Sequence, residues 1–171
     1  MNKQLLFAVS LVLATPLAAM AAPEVGDKSF TISGTGASDK HFDGNSFGVT
    51  GQLGYYQTEN FEYGVRQSFN GLVGDEVDNA WSGATRLFAD YHFGCCKMRP
   101  FVGANLGGIY GESVNDTGAA GLELGAKYWV LEKTFINVAA EYQWLFSGSS
   151  GIDDNFDDGA IYYTLGVGFN F

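Results

Sequence analysis

The chain has 171 residues, with 9 basic and 19 acidic side chains and a formal net charge of −10. This charge repels phosphates and no basic patch offsets it, which excludes a role in nucleic-acid binding. The composition combines 24 Gly with 14 Phe, 9 Tyr and 3 Trp, at a neutral mean hydropathy. Such a mixture is unusual for a soluble core and fits a β-barrel with one face in lipid.

The N-terminal segment predicts a cleavable signal peptide. Lys3 supplies a positive charge, residues 5–17 are mostly apolar, and Ala19-Met20-Ala21 has the small-x-small pattern of a cleavage site. The apolar run is too short to cross a bilayer comfortably as a permanent helix. We therefore expect residues 1–21 to be removed, and residues 22–171 to form one barrel domain that is exported through the periplasm to a bacterial outer membrane.

Eight segments of the remaining chain alternate between apolar and polar or small residues. In chain order we predict strands near residues 28–36, 46–56, 61–70, 81–93, 100–110, 119–130, 134–146 and 159–171. Period-two alternation indicates strands because successive side chains point to opposite faces of a sheet. The fifth segment has the weakest pattern, whereas the eighth alternates strictly from Ile161 to Phe171. The predicted fold is all-β: an up-and-down, eight-stranded antiparallel transmembrane β-barrel, closed so that no strand edge lies in lipid.

The connections between these strands alternate in length. The links at residues 57–60, 94–99 and 131–133 are short, and the links at residues 37–45, 71–80, 111–118 and 147–158 are longer and polar. Short periplasmic turns and longer outer loops are typical of a transmembrane barrel with both termini in the periplasm. The four longer links are therefore the predicted outer loops.

Two stretches resemble barrels of the OmpA and OmpX type. The C-terminal segment has a polar residue, a glycine two positions later and aromatic residues at the antepenultimate and final positions: Thr164, Gly166, Phe169 and Phe171. Pro100–Ala104 is similar to the start of the fifth strand of those barrels. The resemblance implies an outer-membrane barrel, and it implies that the barrel-assembly machinery contacts Phe169 and Phe171 during insertion.

The same alternation predicts a charged barrel interior. The inward-facing set contains Glu62, Arg66, Arg86, Asp90, His92, Glu123, Lys127 and Glu141. Buried charges must be paired or hydrated, and four carboxylates face three fixed cations plus His92. One hypothesis is a network of salt bridges that closes a lumen only wide enough for its own side chains. The alternative is a gated pore in which an exchange of partners opens a path.

Aromatic residues on the outer face predict two girdles at the membrane interfaces. We expect six of them near the periplasmic end: Tyr55, Phe61, Tyr63, Phe93, Tyr128 and Phe135. Four lie nearer the outer end: Trp81, Tyr110, Trp144 and Tyr163. Girdles explain these residues without a ligand.

Other candidate sites carry weaker patterns. Cys95 and Cys96 lack further metal ligands at suitable spacing, which leaves a strained vicinal disulfide and a link to another chain both open. The acidic segment 153–158 lacks the spacing of an EF-hand and is expected to be a solvated loop that faces lipopolysaccharide. His41 is the one candidate base in the predicted outer loops, but no family motif surrounds it. We predict no catalytic residues, metal or cofactor.

The sequence thus favours a non-enzymatic barrel with a structural or surface-interaction role in the envelope. Its expected partners are membrane lipid, lipopolysaccharide and a surface partner at the outer loops. A narrow pore for ions or small solutes is the second hypothesis, and a lipid A-modifying enzyme is the third.

Overall fold

The computed structural model describes residues 23–39, 45–72, 80–94, 96–111, 114–146 and 159–171. Eight strands follow one another in these ranges: β1 Lys28–Asp39, β2 Asn45–Tyr56, β3 Phe61–Leu72, β4 Ala80–His92, β5 Met98–Gly111, β6 Val114–Trp129, β7 Thr134–Phe146 and β8 Ala160–Asn170. No helix among the described residues has the length and apolar character needed to cross a membrane.

The strands form one closed antiparallel barrel, which confirms the predicted fold. Each strand pairs with the next along the chain, and β1 also pairs with β8, with Phe30 opposite Phe169. Closure joins the first and last strands, so their backbone N–H and C=O groups are bonded rather than left at an open edge. This matters in hydrocarbon, where an unbonded backbone group is costly.

Both ends of the described chain lie at the same end of the barrel. Lys28 N donates to Phe171 O at 3.0 Å, and Asn170 N donates to Lys133 O at 2.8 Å in the turn after β6. We call this end the turn side, because the connections 57–60, 93–97 and 130–133 lie there. The opposite end, at which β1 and β7 end and β2 and β8 begin, is the loop side.

Alternating side chains divide the wall into two faces. Along β4, Leu87 is 65% exposed and Phe88 is 3% exposed. Most outward positions of the other strands are also exposed and apolar, as at Leu165. Gln67 and Thr85 are polar exceptions, and Thr85 Oγ1 donates to Gln67 Oε1 at 2.6 Å on the outer face. An apolar outer face combined with a polar, buried interior is the reverse of a soluble protein and matches a wall in contact with lipid.

Two predictions about this wall are wrong. The third loop was predicted over residues 111–118, but β6 begins at Val114 and Gly111 pairs with Val114 after a register irregularity. Polar and glycine-rich composition suggested a loop there, yet the ladder continues because Gly108 still pairs with Gly118. Phe135 was predicted on the lipid face, but its side chain is fully buried inside the barrel. This position agrees with the alternation of side chains along β7, because the next residue, Ile136, points outward.

Candidate functional site: the charged lumen

All eight charged or histidine side chains of the predicted inward set lie in the lumen, and none is more than 7% exposed. They form two clusters at different depths. The first joins Arg66 and Arg86 to Glu123 and Glu141. The second surrounds Glu62.

The first cluster connects opposite sides of the barrel. Arg66 lies opposite Arg86 in the β3–β4 ladder, and Glu123 lies opposite Glu141 in the β6–β7 ladder. Like charges are therefore neighbours within the sheet, which is unfavourable. Pairing across the lumen relieves the repulsion and links β3 and β4 to β6 and β7.

The bonds in this cluster are direct. Arg66 Nη1 and Nη2 donate to the two carboxylate oxygens of Glu123 at 3.0 and 2.9 Å. Arg86 Nη1 donates to Glu141 Oε1 at 2.5 Å, and Arg66 Nη1 reaches Glu141 Oε2 at 3.4 Å. Gln52 accepts from Arg66 Nε at 3.0 Å. A bidentate guanidinium–carboxylate pair adds geometric specificity to its charge.

Glu62 is the centre of the second cluster. Its Oε2 accepts from Lys127 Nζ at 2.5 Å and lies 3.0 Å from His92 Nε2. Its Oε1 accepts from the Ser29 hydroxyl. Lys127 Nζ also donates to the Tyr56 hydroxyl at 3.1 Å. Both carboxylate oxygens of Glu62 are therefore occupied.

Six large side chains surround this cluster and form what we call the turn-side layer: Tyr56, His92, Phe101, Lys127, Trp129 and Phe135. Several of its members are in contact. The His92 ring lies 5.6 Å from Tyr56 and 5.3 Å from Phe101, and the Trp129 and Phe135 rings are 5.3 Å apart. Lys127 Nζ lies 4.7 Å from the centre of the Phe135 ring, which adds a cation–π contact. The layer fills the lumen at the turn side.

Asp90 differs from the other carboxylates. It is 1% exposed, and neither of its oxygens has a hydrogen-bond partner among the described residues. Potential ligand atoms of Glu62, Asp90 and His92 lie within 4.8 Å of one another. A metal there would have to compete with Lys127, since the ammonium already serves as the cation of Glu62. We therefore assign no metal to these residues.

The lumen contains a fourth fixed cation that the predicted inward set lacks. Arg99 is 2% exposed, and its Nη2 donates to the Glu59 carbonyl at 2.7 Å and to Asn60 Oδ1 at 2.5 Å. The predicted fifth strand began at residue 100, so Arg99 was left in the turn. Residues two apart on a strand point to the same face, so the inward position of Phe101 is the signal that identifies Arg99 as inward.

Other predicted residues lie at the surface or outside the described ranges. Phe169 and Phe171 are exposed on the outer wall at the turn side, whereas Gly166 is buried. Thr164 has inward parity near the loop side. The signal segment 1–21, His41, Cys95 and the acidic segment 153–158 are outside the described residues.

No protein-family model matches the chain, and no curated protein matches it in sequence. Its structure is similar to Neisserial surface protein A, with a TM-score of 0.64, 14% identity and coverage of 85% of this chain and 96% of that one. It is also similar to the N-terminal β-barrel domain of Pseudomonas aeruginosa OprF, with a TM-score of 0.53, 22% identity and coverage of 84% of this chain and 97% of that one. A third similar structure is that of Ail, the attachment invasion locus protein of Yersinia pestis, with a TM-score of 0.50, 15% identity and coverage of 86% of this chain and 99% of that one. At these identities the likeness shows a shared barrel fold.

Proposed function

We propose that this chain is a non-enzymatic protein of the bacterial outer membrane with a structural or surface-interaction role. Its outer wall is mainly apolar, and exposed aromatic residues lie toward both ends, as at Tyr63 and Trp81. These features match a wall that spans the hydrocarbon region between two interfaces. Export would use the signal segment 1–21.

The filled turn-side layer is the observation that carries this proposal. An eight-stranded barrel has a lumen that its own side chains can fill, and here four buried aromatic rings of the turn-side layer lie around the Lys127–Glu62 pair. To open a path, the Lys127–Glu62 pair would have to separate in a buried environment. A buried charge that loses its partner typically destabilises a protein by about 3–5 kcal/mol. A closed barrel therefore supports a role at the membrane surface rather than in transport.

Ion conductance of the refolded mature protein in a planar bilayer tests the proposal. A heat-dependent shift in gel mobility first establishes that the barrel has folded. We expect no resolvable channel openings from the folded protein. Steady openings that change in Arg86→Ala or Glu141→Ala variants would overturn the proposal and favour a narrow pore for ions or small solutes.

The surface partner would contact the outer loops, while lipid and lipopolysaccharide contact the wall and its outer rim. Ail has been solved with the heparin analogue sucrose octasulfate. The segment 153–158 of this chain contains four aspartates, so we expect it to repel such a polyanion. Titration of the folded protein with sucrose octasulfate should therefore give no binding without divalent cations. Tight binding in their absence would contradict a surface role based on acidic loops.

Assembly would depend on the C-terminal signal formed by Thr164, Gly166, Phe169 and Phe171. The exposed rings of Phe169 and Phe171, whose centres are 5.9 Å apart, form an apolar patch that the barrel-assembly machinery could contact. We expect Phe171→Ala to lower the amount of folded barrel in cells. Phe146→Ala is the matched control, because Phe146 is an exposed aromatic residue at the other end of a strand. Equal loss from both variants would indicate a general stability effect.

A lipid A-modifying activity is the alternative that requires an enzyme. It predicts a change in lipid acylation upon expression, and loss of that change in a His41→Ala variant. We expect expression to leave lipid acylation unchanged.

A further inference from the structure

The lipid-facing wall carries a cluster of polar side chains on three neighbouring strands. Gln67 on β3 and Thr85 on β4 lie opposite each other, and both point outward. Tyr110 on β5 joins them, because its ring lies against Gly83 and its hydroxyl reaches both side chains. We call Gln67, Thr85 and Tyr110 the wall cluster.

The amide of the wall cluster lies midway between the two aromatic levels of this wall. On β3, Tyr63 is four residues before Gln67, and Gly71, which pairs with Trp81, is four residues after it. At about 3.4 Å per residue, each level is about 13 Å away along the strand. Interfacial aromatic residues lie at the depth of the lipid head groups. At the depth of the amide, the wall is therefore in contact with hydrocarbon or with another protein.

The Gln67 amide keeps capacity for further hydrogen bonds. Thr85 Oγ1 donates to Gln67 Oε1 at 2.6 Å, and Gln67 Nε2 donates to the Tyr110 hydroxyl at 2.8 Å. The second amide hydrogen has a 3.4 Å contact with the Ser68 carbonyl, which is long for a hydrogen bond. An amide oxygen can accept two bonds, so Oε1 retains a lone pair. Hydrocarbon cannot bond to either group, whereas a protein partner can.

Glycines lie on both sides of the cluster. Gly51 pairs with Gln67, and Gly108 pairs with Thr85. A Cβ added at Gly51 would meet no atom within 4 Å, and one at Gly108 would meet only a backbone oxygen at 4.0 Å. The wall is therefore low on either side of the amide, and a second wall can approach it closely. Small residues have this role at contacts between membrane-spanning segments.

From these features we infer that the wall cluster is the centre of a contact between two copies of this chain within the membrane. An amide is complementary to itself, because Nε2 of one Gln67 can donate to Oε1 of the other and the reverse bond is equivalent. A two-fold axis through the cluster relates the two bonds, as in an isologous interface. Val65, Phe69 and Leu87 are exposed beside the cluster and would supply apolar contact. This surface goes beyond the proposed envelope role, since it assigns a partner to the wall rather than to the outer loops.

Sedimentation equilibrium of the folded mature protein in density-matched detergent micelles tests the inference. A reducing agent prevents dimers linked through cysteines, and the heat-dependent gel shift establishes folding. We expect a reversible monomer–dimer equilibrium, and we expect Gln67→Leu to raise the dissociation constant of the dimer at least about tenfold. Unchanged dimerisation in Gln67→Leu would overturn the inference. A monomer at every ratio of protein to detergent would also overturn it and would indicate a different membrane protein as the partner of the cluster.

A Gly51→Leu variant supplies an independent test, because a leucine there would raise the wall beside the amide. Ala140→Leu is the matched control, since Ala140 points outward on β7, on the opposite side of the eight-stranded barrel. We expect Gly51→Leu to weaken the dimer at least about tenfold and Ala140→Leu to leave it unchanged. Equal effects of the two variants would overturn the inference. If Gly51→Leu fails to fold, Gly108→Leu is measured instead, and a dimer of full affinity in that variant would equally overturn it.

Discussion

The two halves of the lumen follow the same alternation of side chains, yet one is filled and the other contains a cavity. At the turn side the inward positions carry large residues, such as Phe101, Trp129 and Phe135. At the loop side they carry small hydroxyl residues, such as Thr50 and Ser68. The number of strands sets the width of the barrel, and that width is shared by both halves. The volume of the inward side chains therefore determines where the barrel is closed.

The halves also differ in how their charges are neutralised. Lys127 and Glu62 form a pair among aromatic rings. Arg86, by contrast, borders a cavity of about 170 Å³ in the loop-side half, and its partner Glu141 also has Arg66 nearby. Without its ammonium partner, Glu62 would keep hydrogen bonds from a hydroxyl and an imidazole but no permanent cation, whereas Glu141 without Arg86 would keep the guanidinium of Arg66. Stability should therefore be more sensitive to substitution at the turn side.

Removal of one cation from each half should give the largest difference. In Lys127→Met, Glu62 loses its ammonium partner, and we expect the free energy of unfolding to fall by about 3–5 kcal/mol. In Arg86→Met, Glu141 keeps Arg66 within 3.4 Å, so we expect a clearly smaller loss. Urea unfolding in lipid vesicles, followed by tryptophan fluorescence, measures both.

The double variant Lys127→Met/Glu62→Gln is the control for this comparison. It removes both charges, and we expect it to recover most of the stability lost in Lys127→Met. If Lys127→Met and Arg86→Met lose the same stability, the two halves do not differ in how they hold charge.

Sequence alternation was sufficient to predict the strands and their faces, because parity decides the direction of each side chain. It predicted that Arg66 and Glu141 point inward, but not that the two would meet across the lumen. That contact depends on the stagger of strands that are far apart in the chain. Phe135 was assigned to the wrong face for a different reason, because its aromatic character was given more weight than its place in the alternation of β7. Composition likewise predicted a loop at residues 111–118, where the backbone ladder instead continues.

An enlarged side chain in each half should give an intermediate difference. Ala139 and Ala84 are both buried. Ala139 pairs with Gly125, at which an added Cβ would meet the Phe101 ring. We expect Ala139→Leu to cost about 1–3 kcal/mol through overpacking, and Ala84→Leu to cost less than about 1 kcal/mol because the loop-side cavity, which Ala84 borders, can accept the larger side chain. Urea midpoints measure both, and a larger loss in Ala84→Leu would contradict the difference in filling.

Removal of a single hydroxyl from each half should give the smallest difference. The Ser29 hydroxyl donates to the Glu62 carboxylate inside the Glu62 cluster. The Ser68 hydroxyl shares a bond of 2.8 Å with the neutral hydroxyl of Thr50, and its contact with a charged group, Arg86 Nη2, is at the 3.5 Å limit of a hydrogen bond. A hydrogen bond to a charged group contributes about 1.5–3 kcal/mol, and a neutral one about 0.5–1.5 kcal/mol. Ser29→Ala should therefore lower the free energy of unfolding by roughly 1 kcal/mol more than Ser68→Ala. Because the substitution is the same and both serines are buried, their intrinsic propensities cancel, and equal losses would mean that the charge of Glu62 adds nothing to the turn-side half.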